Sequence, residues 1–395
     1  MPHYGTQIEN LPDAFTFIKD MTPEQFGDGT RQAVREAIAT VFEERMSWAI
    51  EQHLEESTAR GEEDRRNGYY PRHLLTGLGD VLLDVPRTRT FSAHKVLGAY
   101  ARRSPEVDQA ILGCFVLGHS TRKVARALLP LLGEQVSAST VSQVAKTLDA
   151  AVQAFHRRPL RDRYRALIFD GVVLSRKTGA GAVQRPVLVA LGLLPDGKKE
   201  IIDFRLAASE SEREWEIFLT DLYQRGLTGE RAEIIVVDGG KGMHSALLTV
   251  FPSLPIQRCW AHKTRNLTDK VRRADRDAVK RSVQSIYNAK TEPKARSAAR
   301  HFADRWETCY PKMVRSLRND LDELLACFRF KDEKWRRWTR TTNAIERRFR
   351  EVRRRTRPMG VFSDRTSMER ILFAVFSFEN QQQGVAPLFL VTHNN

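Results

Sequence analysis

An α/β fold is predicted for this 395-residue chain, and three observations predict it. Two apolar runs, Ala166-Leu-Ile-Phe-Asp-Gly-Val-Val-Leu174 and Ile234-Ile-Val-Val-Asp-Gly-Gly240, are nearly continuous, which marks strands buried on both faces. Further strand patterns and one amphipathic helix lie between them. Long stretches outside this region, at 105–155 and 263–340, carry helical periodicity instead.

Residues 1–30 are weakly patterned and read as an arm. Thr30 to Ala59 reads as a helix, with Ala37, Ile38, Val41, Phe42, Ala49 and Leu54 at helical spacing. Gly61 to Gly68 is a charged linker, and Leu78 to Pro86 has strand character that Pro86 stops. Thr121 is placed to cap a helix carrying Val124, Ala125, Leu128 and Leu129, which Pro130 would disrupt. Ser137 or Ser139 caps a second helix, with Val141, Val144, Ala145, Leu148 and Val152 inward. The pair has the form of a helix-turn-helix, with Ser139, Thr140, Ser142 and Gln143 opening the helix that would read DNA. Its connection, residues 130–138, is longer than the usual turn, and an ordinary helical hairpin is the other reading.

From residue 160 the pattern changes. Strand 166–174 leads through the Gly-rich loop 178–182 to strand Pro186–Leu194, and the turn Pro195-Asp-Gly-Lys198 leads to strand Glu200–Arg205. Ser209-Glu-Ser-Glu212 has capping-box spacing and opens a helix with Trp215, Phe218, Leu219 and Leu222 on one face, ended by Gly226. Strand 232–238 follows, with a candidate fifth strand at Pro255–Arg258. Three strands, a helix, then a strand is the order of an RNase H-like fold. Residues 263–340 are helical, with stripes Val279, Val283, Ile286 and Leu317, Leu321, Leu324, Leu325, and read as an all-α insertion in the sheet domain. A helix bearing Glu346 ends near Arg357-Pro358, and a closing helix carries Met368, Ile371, Leu372, Val375 and Phe376. The predicted division is an arm, helix and small β element at 1–100 for oligomerisation or DNA binding, and a helix-turn-helix-like region at 101–160. After these come the first part of the RNase H-like core at 161–265, the insertion at 266–338, and the closing helices of the core at 339–395.

The chemistry points to nucleic acid. The chain carries a net charge of +15 and a pI of about 9.9, which favours a polyanionic partner through counterion release. Asp170 and Asp238 each end a buried run, and side by side their carboxylates suit two divalent metals that hold the attacking and leaving oxygens of a phosphodiester. Either Asp-Gly pair is also ordinary turn chemistry. Glu346 has a local explanation too: Asn343-Ala-Ile-Glu346 has N-cap spacing, and Arg350 is its i,i+4 partner. Between Lys331 and Pro358, twelve Lys and Arg face four Asp and Glu, a surplus of +8 that suits phosphate contact. Trp335 and Trp338 are placed either to stack on bases or to pack in a core.

Other classes find little support. Cys114, Cys259, Cys309 and Cys327 form no C-x-x-C pair, so neither a zinc ribbon nor a disulfide framework is indicated. Cys259-Trp-Ala-His262 is a lone C-x-x-H, and Gly239-Gly-Lys-Gly242 is not a nucleotide-binding P-loop. The first residues lack a signal-peptide pattern, and no apolar run approaches the ~20 residues of a membrane span. A cytoplasmic, nucleoid-associated protein without a membrane partner is expected.

Asp170-Gly171, Asp238-Gly239 with Gly-Lys-Gly, Cys259-x-x-His262 with Arg265-Asn266, and Thr342-Asn-Ala-Ile-Glu-Arg347 together resemble the mutator-type transposases of bacterial insertion sequences. The resemblance runs from about Asn67 to the late helix. It implies a DDE transposase with catalytic and metal-binding acids Asp170, Asp238 and Glu346, Cys259 and His262 beside the site, and two Mg²⁺ ions with Mn²⁺ able to substitute. It further implies binding of double-stranded DNA at terminal inverted repeats and at the target, with the ends bound by N-terminal helical modules; Ser139, Thr140 and Gln143 of the helix-turn-helix candidate and Arg347, Arg350 and Arg354 of the basic run are the candidate DNA contacts. Cleavage to a 3′-OH, attack of that hydroxyl on target DNA, and assembly as at least a dimer complete the expectation. An RNase H-like nuclease and a DNA-binding regulator derived from a transposase are the alternatives.

Overall fold

The computed structural model describes residues 23–100, 102–116, 119, 121–132, 136–178, 181–359 and 365–385. Most of the expected arm, the tip of the Gly-rich loop and the middle of the 130–138 connection lie outside them. The chain divides into two compact units, the described residues of 1–115 with 119–146, and those of 116–118 with 147–395.

In the first unit, helix α1 (Pro23–Ala59) packs on a hairpin of β1 (Arg66–Thr76) and β2 (Gly79–Thr88). Met46 and Ile50 of the helix join Leu74, Val81, Leu83 and Val85 of the hairpin in one core. Only the last three residues of the expected linker, from Arg66, enter a strand. β1 mixes charge with alternating burial, so its outward residues disguise it. Pro86 does not stop β2, because it stands opposite Tyr69 beside an irregularity in the ladder, where a missing amide donor is tolerated. Helices α2 (Pro105–Val116), α3 (Thr121–Leu132) and α4 (Ala138–Lys146) follow. α3 continues past Pro130 to Leu132. Ser137 is the cap of α4, its Oγ accepting from the Thr140 amide at 3.0 Å.

The second unit opens with α5 (Leu148–Arg157), so the helix expected across 139–152 is two helices separated at Thr147. Its sheet is mixed and runs β5-β4-β3-β6-β7. β3 (Ala166–Thr178), β4 (Gly181–Leu193) and β5 (Lys199–Leu206) form an antiparallel meander. Helix α6 (Glu212–Gln224) leads to β6 (Ile234–Val237), parallel to β3. Helix α7 (Lys241–Val250) leads to β7 (Ile256–Arg258), parallel to β6. All four residues of β6 are buried, as a run without alternation requires. Leu167, Phe169, Ile235 and Val237 meet Trp215, Phe218 and Leu219 of α6 and Met243 and Leu247 of α7 in one core.

Helix α8 (Trp260–Thr268) leaves β7. Helices α9 (Arg276–Tyr287), α10 (Glu292–Trp306), α11 (Pro311–Asn319), α12 (Leu321–Leu325) and α13 (Glu333–Thr339) follow it. With α8, helices α9 to α12 build a core of their own, in which Val279, Val283, Ile286, Phe302, Met313, Leu317 and Leu324 are buried. Helix α14 (Asn343–Met359) returns to β3, and α15 (Arg365–Gln382) closes the unit against β5, α5 and α14. Asn380 of α15 finishes the sheet edge: its Oδ1 accepts from Ile201 N at 2.8 Å and its Nδ2 donates to Ile201 O at 2.9 Å. An edge strand without such partners would leave buried backbone groups unpaired.

Candidate active site

The parallel pairing of β3 with β6 decides where the two aspartates go. Ala166, Leu167 and Ile168 stand opposite Ile234, Ile235 and Val236. The same register carried two residues further sets Asp170 level with Asp238 on neighbouring chain segments. Asp170 is not at a turn: β3 continues to Thr178 and Asp170 pairs with Val189 of β4. Asp238 does sit where its strand ends, and there its Oδ1 accepts from the Gly240 amide at 2.9 Å. Gly239 between them has φ +98°, a conformation side chains resist.

Asp170 is only 2% exposed, and its Oδ2 has no hydrogen-bond partner among the described residues. Burial pushes its carboxyl up to about 7, and the neighbouring Asp238 pushes the same way. His262 and a hydrogen bond from Thr342 pull it down, and Glu346 adds to the rise.

Glu346 arrives from α14, and α8 holds the start of that segment. The Trp260 amide donates to Arg340 O at 2.9 Å. The buried Cys259 Sγ accepts from the Thr342 amide at 3.3 Å. One turn further along α8, His262 Nε2 lies 3.6 Å from Glu346 Oε1. The C-x-x-H spacing thus puts a tether and a carboxylate contact on the same face of one helix. The Cys259 sulfur pushes the imidazole up, with burial opposing and Asp170 and Asp238 assisting.

Asp170, His262 and Glu346 line one open pocket of about 700 Å³. Its wall includes Arg265, Arg347, Arg350 and Arg353. Asn343, Glu346, Arg347, Arg350 and Arg353 recur at three- and four-residue steps, so α14 presents them together. Ile345, Phe349 and Val352 on its other side are fully buried. Asp238 does not line this pocket and reaches it electrostatically, through Asp170. Among the described residues, no three His, Cys, Asp or Glu side chains form a ready-made metal cage.

Other expected residues separate. Arg354 is exposed, pairs with Glu351 at 3.1 Å and does not line the pocket. Arg348 and Arg355, inside the same basic run, are spent on Glu379 at 3.3 Å and Glu351 at 2.7 Å. Trp335 is buried, stacked on Phe330 with Arg165 over it, and Trp338 stands edge-on to Trp335, so both pack rather than lie open. Ser139, Thr140 and Gln143 belong to the first unit, where Ser139 and Gln143 are exposed. Thr140 lines a second pocket of about 500 Å³ with Arg72, Arg102 and Arg103.

Two contributors were not visible in the sequence. Thr342 hydrogen-bonds towards both Asp170 and Cys259. Glu210 lies against Gly171, and its carboxyl is held above the usual range by burial and by Asp238. The capping-box spacing had disguised it. The cap is instead Ser211, which accepts from the Glu214 amide, and Glu210 is left free of α6.

Comparison with known proteins identifies the family. The family described as "Transposase, Mutator family" matches residues 9–384. The transposase for insertion sequence element IS905 of Lactococcus lactis is 31% identical over 319 residues, 80% of each chain. The transposase for ISRM3 of Rhizobium meliloti is 31% identical over 369 residues, covering 92% of this chain and 90% of that one. The transposase for IS256 in transposon Tn4001 of Staphylococcus aureus is 30% identical over 345 residues, covering 86% and 87%. The chain belongs to the Mutator family of transposases. Among its described residues no helix is long and apolar enough to cross a membrane.

Proposed function

We propose that this member of the Mutator family moves an insertion sequence by DDE chemistry on an RNase H-like core. The antiparallel β3-β4-β5 meander, α6 and the parallel β6 and β7 support that core. The observation that carries the chemistry is the buried, unpartnered Asp170 Oδ2 on a pocket it shares with Glu346, with Asp238 just past the end of the neighbouring strand β6. Two carboxylates brought close, one of them with a buried oxygen that has no donor, favour a cation between them.

The donor set fits magnesium. Carboxylate oxygens are hard ligands, and Mg²⁺ keeps several waters, so it needs few protein donors and no closed cage. Asp170, Asp238 and Glu346 would hold two such ions, with Mn²⁺ able to substitute; when bound, they supply charge neutralisation at the phosphodiester and a more acidic attacking hydroxyl. Arg265, Arg347, Arg350 and Arg353 would seat the DNA phosphates on the pocket wall, and His262 would hold Glu346 in place. In this reading the substrate is double-stranded DNA at the terminal inverted repeats. Cleavage leaves a 3′-OH, and that hydroxyl then attacks target DNA. The first unit, through Ser139, Thr140 and Gln143, contributes to end binding. At least two copies act together, because two ends must be joined.

Incubating the protein with labelled end DNA and Mg²⁺ and mapping the nicks tests the reading. Nicks at the element ends that vanish on chelation are expected; cleavage persisting in excess EDTA would remove the metal mechanism.

A further inference from the structure

We propose that Glu210 is a fourth carboxylate ligand of this site, serving the cation on the side of Asp238. The inference rests on the metal reading above and adds a residue to it.

The backbone is shaped to admit Glu210. A methyl group at Gly171 would stand 2.9 Å from both Cδ and Oε1 of Glu210. Any side chain there would evict the carboxylate. At Gly242, the second residue of α7, a methyl group would meet Glu212 N at 2.7 Å, Ser211 C at 3.1 Å and Glu210 O at 3.2 Å. Two glycines from separate elements therefore let the 210–212 segment lie close, and neither has a positive φ that would itself require glycine. Side chains alternate along a strand, so the bare side of Gly171 faces away from Asp170's side. Glu210 approaches β3 from that face, against the residue that follows Asp170.

Glu210 has no other employment. Among the described residues it has no hydrogen bond or cationic partner. It does not cap α6, since Ser211 does. Asp238 acts on both Glu210 and Asp170, so it is the shared neighbour of the two. An Asp170 oxygen that is buried and unpartnered, with the carboxylates of Asp238 and Glu210 close by and no cation paired to Glu210, makes an arrangement that a divalent ion relieves.

Mn²⁺ titration of the full-length protein without DNA, following free Mn²⁺ by electron paramagnetic resonance, provides the test. Glu210→Gln, Glu210→Asp, Asp170→Asn and, as a control on exposed α6, Glu216→Gln are compared with wild type. Circular dichroism confirms that each is folded. Both Glu210 variants are expected to weaken Mn²⁺ binding about tenfold or more, the scale of losing a metal-site partner, with Glu216→Gln unchanged. Glu210→Asp retains the charge but withdraws the oxygens by one methylene. Wild-type binding in either Glu210 variant would overturn the proposal while leaving the three-acid site intact. Wild-type binding in Asp170→Asn as well would show that the metal reading itself had failed.

Discussion

His262 Nε2 stands 3.6 Å from Glu346 Oε1, although 84 positions separate the two residues in the sequence. The contact is made possible one turn earlier, where Cys259 holds Thr342 at the mouth of the helix that carries Glu346. The helices between them form their own core, so the chain departs from the sheet and returns to it at a point fixed by α8.

This tether predicts an effect of Cys259 out of proportion to a small thiol. Cys259→Ala leaves the buried Thr342 amide without its acceptor, at a cost of about 1–3 kcal/mol. We expect a lower urea midpoint and strand cleavage reduced at least tenfold, with end binding unchanged. Cys259→Ser, which still offers an acceptor, should recover part of both. Equal cleavage by the alanine variant and wild type would show that the tether does not position Glu346.

The metal-free protein should carry a pH signature of Asp170. Its folded-state pKa is raised from 3.8 to about 7, so the fold binds a proton there that the unfolded chain has released. Stability from this group is complete below about pH 4 and is lost as pH rises through 7. A tenfold difference in proton affinity between the folded and unfolded chain is worth about 1.4 kcal/mol. In EDTA, Asp170→Asn should therefore gain on wild type between pH 5 and pH 8 in melting temperature. Parallel pH profiles for the two proteins would contradict this.

The arginines of α14 should divide by where they point. Arg347, Arg350 and Arg353 line the pocket, whereas Arg354 pairs with Glu351. Replacing one of the first three by alanine should reduce the salt slope of DNA binding by about one, and Arg354→Ala should change it less. The slope is read from fluorescence anisotropy over a range of salt. An identical slope for every variant would make the face merely solvated.

Much of the fold was legible in the sequence because the relevant signals are local. Continuous apolar runs marked β3 and β6, and helical stripes such as Val279, Val283 and Ile286 marked the helical block. β1 escaped notice because its alternation is of burial rather than of hydrophobicity. Asp238 behaves as its Asp-Gly turn suggested, but Asp170 does not: the glycine after it serves the approach of Glu210, a long-range fact with no local trace. The charge count also could not show pairing, and within the basic run Arg348 and Arg355 are consumed inside the fold.

The sheet edge makes a separate prediction about stability. Asn380 satisfies both backbone groups of buried Ile201. Asn380→Ala should cost about 2–4 kcal/mol, since two buried polar groups lose their partners. Urea unfolding followed by circular dichroism measures it, and a loss below about 0.5 kcal/mol would mean that water replaces the amide.

The most direct test of the account is strand cleavage by Glu346→Gln on labelled end DNA with Mg²⁺, beside wild type. The substitution keeps the shape of the side chain and removes only its charge. The account predicts wild-type end binding with no detectable nicking. Nicking at the wild-type rate would take Glu346 out of the site and with it the convergence of the three acids.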